Sequence, residues 1–219
     1  ERNKMEPFNN IISSKDELYE IYRNPSETVT TKESSIIDQG CEDFIKQSTF
    51  LLVGTSNLNG ELDVSPRGGP AGFVKVIDNH RLVIPDLNGN NRLDSIQNIV
   101  EQGNVGLLFI IPGLGETLRI NGQAYITKEE QILELFSDEL RTPKTAIGVV
   151  VETAFIHCAK SFRRGNMWEP REWPDRKDVP SPGQMLVDHS GLEGSITGAE
   201  VDQLLEAGYK VDLAEDLPE

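Results

Sequence analysis

Three arginines stand alone among apolar and glycine-rich neighbours, each at a place where it could face either a ligand or a structural partner. The first is in SPRGGPAG at 65–72. Arg67 follows Ser65 and Pro66 and precedes Gly68 and Gly69. Glycines let a ligand approach the backbone, and a guanidinium fork suits a phosphate. Read alone, the segment is equally a hairpin carrying a surface arginine. The second is in IPDLNGNNRLDS at 84–95, a strand end, a glycine-containing loop and the start of a helix. Asn90 or Asn91 is expected to cap a helix beginning at Arg92, and the free N–H groups of a helix start attract anions. A cation in the first turn opposes the helix dipole, so Arg92 there implies an anion between the two. The third is Arg119 in GETLRINGQA at 115–124, flanked by Leu118 and Ile120; it points either to a cross-strand carboxylate or to a ligand.

Other chemistries find no support in the spacing. Asp86, Asn88 and Asn90 alternate as at the start of an EF-hand loop, but Asn91 stands where glycine is needed and Gln97 where the bidentate glutamate is needed. His80, His157 and His189 have no metal-ligand spacing with one another or with Cys41 and Cys158. There is no GxSxG elbow, Walker A or GxGxxG motif. His157 and Cys158 are adjacent along an expected strand and so face opposite ways.

The elements that must position these residues read mainly as β. Short apolar runs separated by turn residues predict strands at 49–56, 61–66, 73–78, 81–85, 104–111, 116–127 and 145–157, with Asn59-Gly60 and Asp78-Asn79 at hairpin turns. Helices are expected at 41–47, 92–102 and 129–138. Ser14 with Glu17, and Thr197 with Glu200, have capping-box spacing, opening one helix near the start and a tail helix reaching about Ala207. Six to seven antiparallel strands with flanking helices predict a small β-barrel rather than a doubly wound sheet. The expected organisation is an N-terminal helical segment over 1–48, a barrel body over 49–165, and an irregular arm with an acidic helical tail over 166–219. The stretch WEPREWPDRKDVPSP (168–182) is too rich in proline for helix or central strand.

The 219 residues carry 21 Lys+Arg against 36 Asp+Glu, a net charge of −15. That balance argues against nucleic acid as a partner, which needs a basic face, and against a polybasic membrane anchor. The longest apolar run, VGLLFII at 105–111, is far short of a membrane span. Two distant cysteines and no signal-peptide pattern predict a reducing, cytoplasmic setting.

In combination and order, these motifs resemble the FMN-binding split-barrel flavoproteins related to pyridoxamine 5′-phosphate oxidase. The resemblance rests on Pro66-Arg67-Gly68, on Ile84 to Asp94, on Gly106 to Ala124, and on CAKSFRR with Met167-Trp168, spanning about residues 35–173. It implies a split-barrel homodimer with two FMN sites at the subunit interface and a small-molecule redox substrate. By resemblance, Ser65, Arg67 and Gly68, with Asn90, Asn91 and Arg92, would hold the phosphate. Ile84 and Pro85 would lie along the flavin ring and ribityl chain. Leu118 and Arg119 would reach the ring, and Lys160, Arg164 and Trp168 would belong to an arm closing over the partner's flavin. The basic substrate-phosphate residues and arginine-rich C-terminus of the oxidase itself are not recognisable here, so the resemblance does not reach pyridoxamine phosphate as substrate. The same fold would also suit a flavin-binding module without turnover, or a haem-binding protein, which would want an exposed histidine.

Overall fold

The computed structural model describes residues 8–26 and 31–218. The chain divides into two compact units, Glu1–Glu33 and Ser34–Glu219. In the first, α1 (Lys15–Ile21) starts where the sequence predicts, with Ser14 Oγ accepting from Glu17 N. The Glu17 carboxylate reaches back to Ser13 N at 2.9 Å rather than to the cap residue.

The second unit is a seven-stranded, wholly antiparallel sheet with flanking helices. Its strands are β1 (Phe50–Ser56), β2 (Leu62–Gly68), β3 (Lys75–Asp78), β4 (Arg81–Pro85), β5 (Asn104–Ile110), β6 (Thr117–Thr127) and β7 (Ala146–His157), in the order β2-β1-β5-β6-β7-β4-β3. The sheet does not close: β2 and β3 are its edges, as in a split barrel. Alternation explains the inner face. Leu51, Val53 and Thr55 of β1 face Phe109, Leu107 and Val105 of β5 across the ladder, and all six are buried. They join Leu118 and Ile120 of β6 and the buried rings of Phe73, Phe109 and Phe136 in one core. Helix α2 (Gln39–Gln47), capped by Asp38, plugs that core with Cys41 and Ile45. Helix α3 (Asp94–Glu101) adds Ile99 and is tied to β1 by Asn98 Nδ2 donating to Thr55 Oγ1 at 3.0 Å.

One irregularity shapes the sheet. Gly122 pairs with Val151 and Asn121 with Thr153, so Glu152 is an extra residue in β7, a bulge that bends the strand. At that bend a Cβ on Gly122 would lie 2.0 Å from the carbonyl oxygen of Val150.

After β6 come α4 (Glu130–Leu133) and a 3-10 turn, Glu134–Phe136. After β7 come α5 (Lys160–Arg164) and the irregular stretch, which holds only the 3-10 turns Pro170–Glu172 and Arg176–Asp178. Two tail helices follow, where the sequence reading placed one. Helix α6 (Pro182–Ser190) is capped by Ser181 with proline at its first position, a start signal present in the sequence. Helix α7 runs Gly198–Glu215, well past Ala207, because nothing breaks it before Pro218. The pair crosses at glycines: a Cβ on Gly183 would sit 2.2 Å from Gly198 O and 2.7 Å from Asp202 N. Asp202 locks the crossing, accepting from Ser181 Oγ at 2.7 Å and Gly183 N at 2.8 Å. These bonds, the hydroxyl's first, hold its carboxyl below the usual range. Gly183→Ala is therefore expected to weaken the α6–α7 pairing by about 1–3 kcal/mol. Hydrogen exchange over 182–215 should speed up while the barrel strands stay protected. No described helix is long and apolar enough to cross a membrane.

Candidate functional site

The edge strand β2, the end of β4 and the loop before α3 enclose a cleft of about 720 Å³. Ser65, Arg67, Gly68, Pro85, Asn90, Asn91 and Arg92 all line it. Two segments that read separately as anion sites thus face one space.

Arg67 is the best-held side chain there. It is only 20% exposed, and its Nη1 donates to Asp86 Oδ1 at 2.7 Å. Its Nε is buried without a hydrogen-bond partner. A buried donor left unsatisfied costs about 1–3 kcal/mol, so the fork is anchored at one nitrogen and lacks a protein acceptor at another. Beside it, Ser95 Oγ donates to Asp63, and Ser65 Oγ lies 2.8 Å from Ser95 Oγ. With the Ser95 proton given to Asp63, the Ser65 hydroxyl donates to Ser95.

The loop 86–93 departs from the expected capping. Helix α3 begins at Asp94 rather than Arg92, and its cap residue, Leu93, is left-handed at φ 61 with no side-chain cap bond. Asn90 Oδ1 instead accepts from Arg92 N at 3.1 Å, closing a turn, and Asn91 is also left-handed at φ 56. A bulky residue such as Leu93 pays strain in this conformation, which is common where loops hold ligands. Arg92 is correspondingly outside the first turn, 78% exposed and paired with Asp94. The dipole mismatch expected for Arg92 disappears, because Asp94 supplies the negative charge the helix start favours.

The remaining candidates do not line the cleft. Ile84 is fully buried in the core, and Leu118 is 2% exposed. Arg119 lies over the Phe155 ring, 5.8 Å from its centroid. Lys160 and Arg164 are exposed on α5. Trp168 was expected to be buried at a subunit interface; within one chain it is half-buried, stacked on Phe162 with 5.6 Å between centroids. Its Nε1 donates to Leu114 O at 2.8 Å, so it docks on the β5–β6 turn. Arg119 and Trp168 sit toward the ends of β6 and β7, apart from the cleft-lining set.

Lining residues that the sequence reading did not assign to the site include Asp63, Asp86, Leu213 and Asp216. Asp86 is visible within IPD as a carboxylate at a strand end. Leu213 and Asp216 come from the acidic helical tail. Asp216 Oδ1 accepts from Asn88 N at 3.1 Å, and Glu215 Oε2 accepts from Asn88 Nδ2 at 3.2 Å. Arg141 N donates to Asp216 O at 2.8 Å. Burial raises the Asp216 carboxyl above its ordinary value against the Asn88 bond, and the carboxylates of Asp212 and Glu215 add to the rise.

The family model for pyridoxamine 5′-phosphate oxidase matches residues 37–158, more than half of the chain. No curated protein matches by sequence. Among solved structures the chain is similar to HupZ of Group A Streptococcus, at 20% identity over 55% of this chain and 93% of that one, with a TM-score of 0.45. It is also similar to a candidate pyridoxamine 5′-phosphate oxidase of Lactobacillus delbrueckii, at 15% identity over 57% and 99%, TM-score 0.44. An F420 reductase follows at 15% identity over 55% and 98%, TM-score 0.38. The match begins just before α2 and ends just after β7, taking in every strand and both halves of the cleft formed by β2 and the 86–93 loop: the chain belongs to the pyridoxamine 5′-phosphate oxidase family.

Proposed function

We propose that this protein is an FMN-binding flavoprotein acting as an oxidoreductase on a small molecule, with its sites shared between two subunits of a homodimer. The observation that carries the reading is the unpartnered Nε of Arg67, a buried donor on a side chain that lines the same cleft as Ser65 and the Asn90–Arg92 turn. Carboxylates are numerous in the cleft, but Asp86 is committed to Arg67, Asp94 to Arg92 and Asp63 to Ser95. An entering phosphate would meet Asp86 and Asp94 already paired with cations, while Asp63 and Asp216 hold hydrogen bonds from neutral donors.

Arg67 and Arg92 would take the phosphate, with the Asn90 turn holding Arg92 in reach. Pro85 would flank the ribityl chain and ring, while the buried Ile84 would contribute only backbone. The half-exposed sheet face bearing Leu52, Leu108 and Arg119 would meet a second copy. Arg119, Lys160, Arg164 and Trp168 would then complete the partner's site. Bound flavin would supply the electron transfer; the chain supplies position and electrostatics. The stacking of Trp168 on Phe162 and its bond to Leu114 O would fix a flat wall there.

Mass spectrometry of ligand released from the denatured protein tests the cofactor, with FMN expected; a Soret band without flavin overturns the reading. Light scattering is expected to give a dimer, stabilised by about 2.7 kcal/mol at a hundredfold excess of flavin over its Kd. A stable flavin-loaded monomer contradicts the shared site. NADH oxidation or photoreduction then separates an enzyme from a binding module.

A further inference from the structure

The last turn of α7 is bonded to the 86–93 loop at Asn88. That turn holds Asp212, Glu215 and Asp216 and has no basic residue. Two of its carboxylates grip the backbone and side chain of Asn88, two residues from Asn90, and Asp216 with Leu213 forms part of the cleft wall. The C-terminal end of a helix adds partial negative charge of its own. Arg67 and Arg92 thus draw an anion in, and a concentrated negative surface stands beside the same loop.

We propose that this turn is a charge filter: Glu215 and Asp216, backed by Asp212, favour a cofactor that ends at its phosphate over one continuing past it with further anionic groups. The proposal rests on the flavin reading above and names the residues that would set its preference for FMN. FMN ends at its phosphate. The deazaflavin F420 extends past its phosphate into a chain of glutamates, and each added carboxylate within about 10 Å of the turn is repelled.

The test compares riboflavin, FMN and F420 in fluorescence titrations of the full chain and of a Glu215→Gln/Asp216→Asn double variant. The wild type is expected to bind F420 at least about 100-fold more weakly than FMN. The double variant should narrow that ratio about tenfold and leave riboflavin affinity within about twofold. Raising salt from about 20 to 500 mM should narrow the ratio in the unaltered chain too, a readout that needs no variant to fold. An F420:FMN ratio unmoved by both the substitutions and the salt overturns the filter while FMN binding stands. So does F420 binding more tightly than FMN, or a variant that changes riboflavin as much as F420. FMN bound by neither chain overturns the flavin reading itself, and the filter with it.

Discussion

Arg67→Ala is expected to weaken FMN binding about 10- to 100-fold, since a charge-assisted hydrogen bond contributes about 1.5–3 kcal/mol. Riboflavin, lacking the phosphate, should bind nearly as before. The comparison separates loss of a phosphate contact from general damage to the cleft, because damage would reduce both affinities. The same substitution leaves Asp86 without its partner at a site only 22% exposed. A modest fall in Tm should accompany the affinity loss, and Arg67→Ala/Asp86→Ala should recover part of the Tm but none of the affinity. Arg92→Ala should cost less than Arg67→Ala, because Arg92 is mostly exposed and already spends its Nε on Asp94. Unchanged FMN affinity in Arg67→Ala would remove Arg67 from the site.

Gly122→Ala is expected to be the most damaging single substitution in the barrel. The added methyl would sit 2.0 Å from Val150 O and 3.0 Å from its carbonyl carbon, both backbone atoms that cannot rotate away. Relief requires β6 and β7 to part at the Glu152 bulge, the longest ladder in the sheet. Overpacking a rigid site ordinarily costs about 1–3 kcal/mol; with backbone on both sides the cost should exceed that range and drop Tm by more than about 10 °C. Gly208→Ala, within α7 and with nothing within 4 Å of the added Cβ, is the control and should lose nothing. Equal thermal shifts in the two variants would show that β7 yields at the bulge.

Much of the architecture was legible because it is written locally. Apolar alternation, as in Leu51, Val53 and Thr55, marks a strand whichever partner it finds. Ser14 and Thr197 bond within four residues of themselves, so helix starts could be read from adjacent letters. The α3 start could not be read in this way. Asn90 and Asn91 have cap-forming side chains, but the chain spends Asn90 on the Arg92 turn and enters the helix two residues later through a left-handed Leu93. Two local solutions were open to the same letters, and the cleft geometry decided between them.

The sequence by itself determined the antiparallel strands, their order along the chain, and two segments whose residues line the cleft. It did so because hydrophobic period, turn chemistry and caps act over a few residues. Only the tertiary structure decided that Arg67 is clamped by Asp86, nineteen residues away, with its Nε buried and without a partner. Only the fold could bring Asp216 back onto Asn88 across 128 residues, turning an acidic tail into a wall of the cleft. Pairings at such separations depend on where the whole core places each loop, and no local pattern encodes that placement.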